Sequence, residues 1–155
     1  MSSNDKGVVK RAIVTPDKHA PLHDKKAINV VKQAIEIVKP DIYVDLGDLG
    51  EFGSCSHWQW KRKKKPPLEF ILPKVKKDIK AINNLLDDID ESLDKVNVKT
   101  KHICAGNHDE WLDFFNDEHP YLEMSFEKAG KFKERGYKYH APGKYLKIGK
   151  LYYYH

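Results

Sequence analysis

The stretch Ile42-Tyr43-Val44-Asp45-Leu46-Gly47-Asp48-Leu49-Gly50-Glu51 decides how the chain folds. Its first half is short, apolar and β-branched, the pattern of a buried strand, and Gly47-Asp48 ends it in a loop that carries a carboxylate. Upstream, from about Asp24 to Lys39, the residues Ala27, Ile28, Val31, Ala34, Ile35 and Val38 recur at helical spacing. This predicts a helix with one buried face, stopped by Pro40. Further back, Val8 to Val14 is a second β-branched run, closed by Thr15-Pro16 and delivering Asp17-Lys18-His19 to its C-terminal end. Strand, helix and strand with short connections form a βαβ unit whose strands are parallel, so both loops lie on one sheet edge.

Downstream, residues 52–67 show no periodicity and contain Trp58, Trp60, the run Lys61-Arg62-Lys63-Lys64-Lys65, and Pro66-Pro67; they read as a long basic surface loop. Ile71, Leu72, Val75, Ile79, Ile82, Leu85, Leu86, Ile89 and Leu93 then predict a long amphipathic helix. It returns the chain to a third strand, about Thr100 to Cys104, which ends at Ala105-Gly106-Asn107-His108-Asp109-Glu110. Beyond it, Trp111 to Phe115 predicts a short helix and Tyr121 to Phe132 another. Tyr137 to Tyr139, Tyr145 to Ile148 and Leu151 to Tyr154 read as an antiparallel meander, with His155 directly after the last strand. The expected class is α/β, one domain over 1–155, with a mostly parallel first sheet flanked by helices and packed toward a second sheet.

A chain of 155 residues, 40% hydrophobic and 33% charged, has the composition of a globular domain long enough to bury a core. No apolar run approaches a membrane span, and Met1-Ser2-Ser3-Asn4-Asp5-Lys6 lacks the apolar core of a signal peptide, so no membrane partner is expected. Cys55 and Cys104 form neither a disulfide framework nor a CxxC pair, which suits a reducing compartment, and a cytoplasmic location is expected. The net charge of +5 favours anionic partners, phosphate compounds foremost.

Three strand ends thus carry Asp17, His19, Asp48 and Asn107, with His108 beside them. Carboxylate, imidazole and amide oxygen suit divalent ions such as Mn, Fe or Zn, and a shared carboxylate can hold two of them about 3.5–4 Å apart. Taken singly, Asp and Asn at strand ends are ordinary turn residues; taken together with two histidines in register, they predict a metal site.

Asp17-Lys18-His19, Gly47-Asp48-Leu49-Gly50 and Gly106-Asn107-His108-Asp109 together resemble the first three motifs of the calcineurin-like metallophosphoesterases. The resemblance implies a metallophosphoesterase-like α/β sandwich and hydrolysis of phosphate esters at a pair of divalent ions (Mn, Fe, Zn or Mg, with Mn favoured). Phosphodiesters, nucleic acid or nucleotides among them, are the favoured substrates. It makes Asp17 and His19 ligands of one metal, Asp48 the bridging ligand, Asn107 a ligand of the second metal, His108 the catalytic histidine, and Asp109 the residue that orients it. The family carries a further single histidine, matched by His155 as a metal ligand, and a Gly-His-x-His that this sequence lacks. The second sheet is accordingly expected to be incomplete. A fragment, a shortened variant with fewer ligands and a binding or regulatory module without catalysis remain open.

For substrate, His57, Lys61 and Arg62 follow the second motif, and Trp58 and Trp60 with Lys61 to Lys65 pair stacking rings with cations, the combination used to hold single-stranded nucleic acid. A charge run is also commonly a solvated face. His23, His102, His119 and His140 read as capping, strand or loop residues, and Cys104 as a small buried residue.

Overall fold

The computed structural model describes residues 9–155. Four strands, β1 (Ala12–Thr15), β2 (Ile42–Asp45), β3 (Thr100–Cys104) and β4 (Tyr137–His140), form one sheet in the order β1-β2-β3-β4, every neighbouring pair parallel. β2 is buried at every position, as a central strand covered on both faces must be. The first strand is shorter than its β-branched run suggests. Val9 is exposed, Arg11 N–H donates to Asp41 Oδ2, and pairing begins only at Ala12 opposite Ile42; Val8 and Met1 to Lys6 lie outside the described residues.

Crossovers set the parallel order. Helix α1 (Lys25–Val38) starts where the Asp24 carboxylate accepts the Lys26 N–H at 2.7 Å, and ends where Lys39 turns left-handed just before Pro40. A single turn, α2 (His57–Trp60), follows Asp45 and the 3₁₀ turn Gly53–Cys55. The long helix α3 (Leu68–Lys95) begins three residues before its expected apolar stripe and runs through Pro73. Helix α4 (Asn107–Glu118) leaves the end of β3 directly, and α5 (Phe126–Ala129) follows. Side-chain alternation divides the core in two. Ile13, Tyr43, Ile103, Tyr137 and Tyr139 face the helices with Ile28, Ile82, Leu86, Phe115 and Phe126, whereas Val14, Ile42, Val44 and Cys104 face a small antiparallel ribbon, β5 (Leu146–Ile148) and β6 (Leu151–Tyr153), through Leu146, Ile148 and Tyr153.

Three expectations need correction. Tyr137–His140 does not open a meander; it joins the main sheet beside β3, because the buried Asp90 of α3 gathers Lys101 Nζ, Arg135 Nη1 and the Tyr137 hydroxyl at 2.9–3.0 Å and fixes the strand against the helix layer. Residues 52–67 are not one loop, for Phe52 is fully buried and anchors the 3₁₀ turn ahead of α2. Tyr121 to Phe132 is not one helix: Glu123 is left-handed, and the N–H groups of Met124 and Phe126 donate to Asn116 and Asp113 of α4. No helix among the described residues is long and apolar enough to cross a membrane.

Candidate metal centre

The three loops that follow β1, β2 and β3 meet at the C-terminal edge of the parallel sheet, where open α/β sheets place ligands. The first two run side by side. Asp17 N–H donates to Gly47 O at 3.0 Å, His19 N–H to Asp48 O at 2.9 Å and Ala20 N–H to Leu49 O at 2.8 Å. To hold this course Asp17, His19 and Asp48 all adopt left-handed backbone, with φ of 51°, 48° and 49°. For residues other than glycine such a conformation costs about 1–3 kcal/mol, and it collects at functional sites where surrounding contacts enforce it.

The third loop is clasped onto the second through Gly106. A Cβ there would stand 2.2 Å from Asp48 Oδ1 and 2.4 Å from Asp48 N, so only glycine lets the two backbones approach. Asp109, buried in the first turn of α4, accepts N–H groups from Gly106 at 2.9 Å, Gly50 at 3.1 Å and Leu49 at 3.3 Å. Burial pushes its carboxyl well above the ordinary range, against the pull of those donors. Beneath the loops, Lys18 is almost wholly buried, with Nζ 2.8 Å from Asp45 Oδ2 and 2.9 Å from Thr15 O. Burial disfavours its charge, the Asp45 carboxylate more than offsets this, and the Lys18 pKa is raised.

Among the described residues two groups of three potential ligands result, His19/Asp48/His108 and Asp17/Asp48/His155, each with its ligand atoms within 4.8 Å of one another. Asp48 belongs to both. Its Oδ1 accepts the His108 N–H at 2.9 Å, while Oδ2 stands 3.6 Å from His19 Nε2 and 3.4 Å from His155 Nε2. Each histidine is oriented through its other nitrogen. His155 Nδ1–H donates to Leu46 O at 2.9 Å, His108 Nδ1–H to Glu51 O at 2.7 Å, and His19 Nδ1 lies 3.0 Å from Glu51 Oε2. A carbonyl can only accept, so neutral His108 and His155 carry their lone pairs on Nε2; anchoring by carbonyl or carboxylate on the opposite nitrogen is how metal-binding imidazoles are held. The residues present therefore fit a pair of divalent ions.

The structure brings Asp17, His19, Asp48, Asn107, His108 and His155 to this edge, with two changes of partner. Asp17 is grouped with His155 rather than with His19, and Asn107 Oδ1 lies 3.2 Å from His155 Nε2. The contact to His108 expected of Asp109 is made by Glu51 instead, while the Trp111 ring stacks on His108 with centroids 3.9 Å apart. Sequence reasoning passed over Glu51, although it closes the second motif, and also Lys18 and Asp45, whose burial no local pattern announces.

Beside His108 opens a cleft of about 680 Å³ between the metal edge, α2 and α3. Glu51, Trp60, Phe70, Lys74, Lys77 and Asp78 line it, and burial, then the charge of Glu51, pushes the Asp78 carboxyl up to about 6. His57, Lys61 and Arg62 are not among its lining residues. His57 stacks on Trp58, Lys61 Nζ sits 4.7 Å above the Trp58 ring, and Lys65 is paired with Glu118. Comparison with protein-family models and with curated proteins gives no match for this sequence.

Proposed function

We propose that the chain is a metal-dependent phosphoesterase of the calcineurin-like metallophosphoesterase type, with phosphodiesters as its favoured substrates. The observation that carries this reading is the carboxylate of Asp48 shared by two His/Asp groups whose histidines are all anchored through the second ring nitrogen. Asp17 and His155 would hold one ion, His19 the other, and Asp48 both, with Asn107 Oδ1 offering a further oxygen ligand beside His155 Nε2. Two divalent ions there, Mn favoured over Fe, Zn or Mg, supply an activated water and neutralise charge on the phosphoryl oxygens.

The protein's own groups do the rest. Asp48 and Asp17 keep the edge anionic enough to attract cations and hold them together. His108, its Nδ1–H fixed on Glu51 O and its ring packed on Trp111, would act as a general acid in its doubly protonated form, giving the Nε2 proton to the leaving oxygen and returning to the neutral ring with its lone pair on Nε2. Nucleic acid is the favoured anionic polymer, since Trp58 is exposed with Lys61 above its ring. Both cysteines are free thiols, which suits the reducing cytoplasm.

Hydrolysis of bis(p-nitrophenyl) phosphate with added Mn tests the reading. His108→Ala is expected to lower kcat by roughly 10²–10⁴-fold while Mn still binds; wild-type protein that binds Mn without turnover, or turnover indifferent to Asp48→Asn, would contradict it.

A further inference from the structure

We propose that the cleft between α2 and α3 is a nucleoside subsite, taking the base and sugar attached to the reacting phosphate. The inference rests on the phosphoesterase reading for the position of that phosphate, and on the cleft's own chemistry for the ligand. Continuity comes first: Glu51 and His108 belong to both the metal edge and the cleft wall, so a group seated in the cleft adjoins whatever reacts at His108.

The wall facing them is made of rings and cations. Trp111 packs on His108 with its ring tilted by 32°, and Trp60 is tied by its indole N–H to Ser54 O at 3.4 Å, so two indole rings with partners of their own line the cleft. Phe70 adds a third ring and is 62% exposed, although α3 buries Ile71, Val75, Ile82, Leu86 and Ile89. An exposed aromatic beside two held indoles is a stacking surface waiting for a planar partner.

Lys74 and Lys77 stand one turn apart on the same helix and line the same cleft, and among the described residues neither forms an ion pair. Both are thus free to meet a ligand in the cleft, unlike Lys32, Lys65 and Lys95, which are paired with Asp88, Glu118 and Glu36. Two unengaged cations next to rings suit a flanking phosphate or the reacting one, while Gln59 and the Asp78 carboxylate offer the acceptors that exocyclic amino groups of a base require. The volume lies within the roughly 300–1,000 Å³ of ligand clefts. A lipid would gain nothing from these charges, and an acidic peptide would not use three rings. The residues singled out from sequence for this task, His57, Lys61 and Arg62, lie outside the cleft.

The test compares the p-nitrophenyl ester of thymidine 5′-phosphate with bis(p-nitrophenyl) phosphate, and measures adenosine 5′-phosphate binding by quenching of tryptophan fluorescence. Wild-type protein is expected to favour the nucleoside ester by tenfold or more in kcat/KM, chiefly through KM. In Lys74→Ala/Lys77→Ala and in Phe70→Ser that ratio is expected to fall toward one, with weaker quenching. Equal kcat/KM for the two esters in wild type, or an unchanged ratio in both variants, would overturn the subsite while leaving the phosphoesterase reading intact. Quenching that depends on Lys74 and Lys77 without turnover of either ester would uphold the subsite and sink the phosphoesterase reading instead. A single-stranded oligonucleotide whose cleavage depends on Lys74 and Lys77 assigns the nucleoside to strand ends; the same dependence in the mononucleotide ester alone assigns it to free nucleotides.

Discussion

At the sheet edge Asp48, Gly106 and Asp109 are buried and joined by carboxylates that accept backbone N–H groups, whereas across the cleft Phe70, Lys74 and Lys77 stand in solvent on one face of a helix. The first region is fixed by steric closeness, left-handed backbone and buried charge before any ligand arrives; the second has side chains with nothing yet to hold. Rigid geometry is what proton transfer and ion binding need, because reacting atoms must already be in place. Recognition tolerates adjustable groups and puts its energy into contacts made only with the ligand. The two regions should therefore respond to substitution in opposite ways.

The sharpest break is expected from Asp109→Ala. It strands three backbone N–H groups in the interior, and urea unfolding should show a loss of about 3–5 kcal/mol. Lys18→Met comes next: leaving Asp45 buried without its cation should cost about 3 kcal/mol, and Lys18→Met/Asp45→Leu should recover most of it. A double variant no better than the single one would mean that the pair does more than neutralise itself.

Asp78→Asn tests the cleft through pH. Its carboxyl titrates near 6 in the folded chain and near 3.8 when unfolded, so the folded state keeps its proton longer. That contribution to stability is intact below pH 3.8 and is lost as pH rises through about 6. The variant should be more stable than wild type at pH 7, by less than about 1 kcal/mol after solvent screening, and no different at pH 3.5. Lys74→Ala and Lys77→Ala should move stability by about 0.5 kcal/mol or less, their effect confined to substrate preference. A larger loss would mean that the cleft wall is structural.

The same contrast explains what the sequence made legible. Helix α1, strands β1 to β3 and the gathering of Asp17, His19, Asp48, His108 and His155 at one sheet edge are written in local periods and in residue types that follow strand ends. β4 is not, because its place depends on Asp90 reaching Lys101, Arg135 and Tyr137 from a distant helix. Asp109 departs from its expected contact with His108 for a similar reason: two of the N–H groups it accepts belong to Leu49 and Gly50, some sixty residues earlier. The cleft lysines resemble any solvated helix face until α2 and the metal edge are set beside them.

Central to all of this is one carboxylate shared by two candidate metal groups, and metal stoichiometry measured by calorimetry with Mn addresses it directly. Asp48→Asn is the decisive variant, since its amide oxygen can still accept the His108 N–H and the loops should stay folded. Wild-type protein should bind two Mn ions, His155→Ala one, and Asp48→Asn none with its circular dichroism unchanged. Two ions still bound by folded Asp48→Asn, or none by the wild type, would contradict the account.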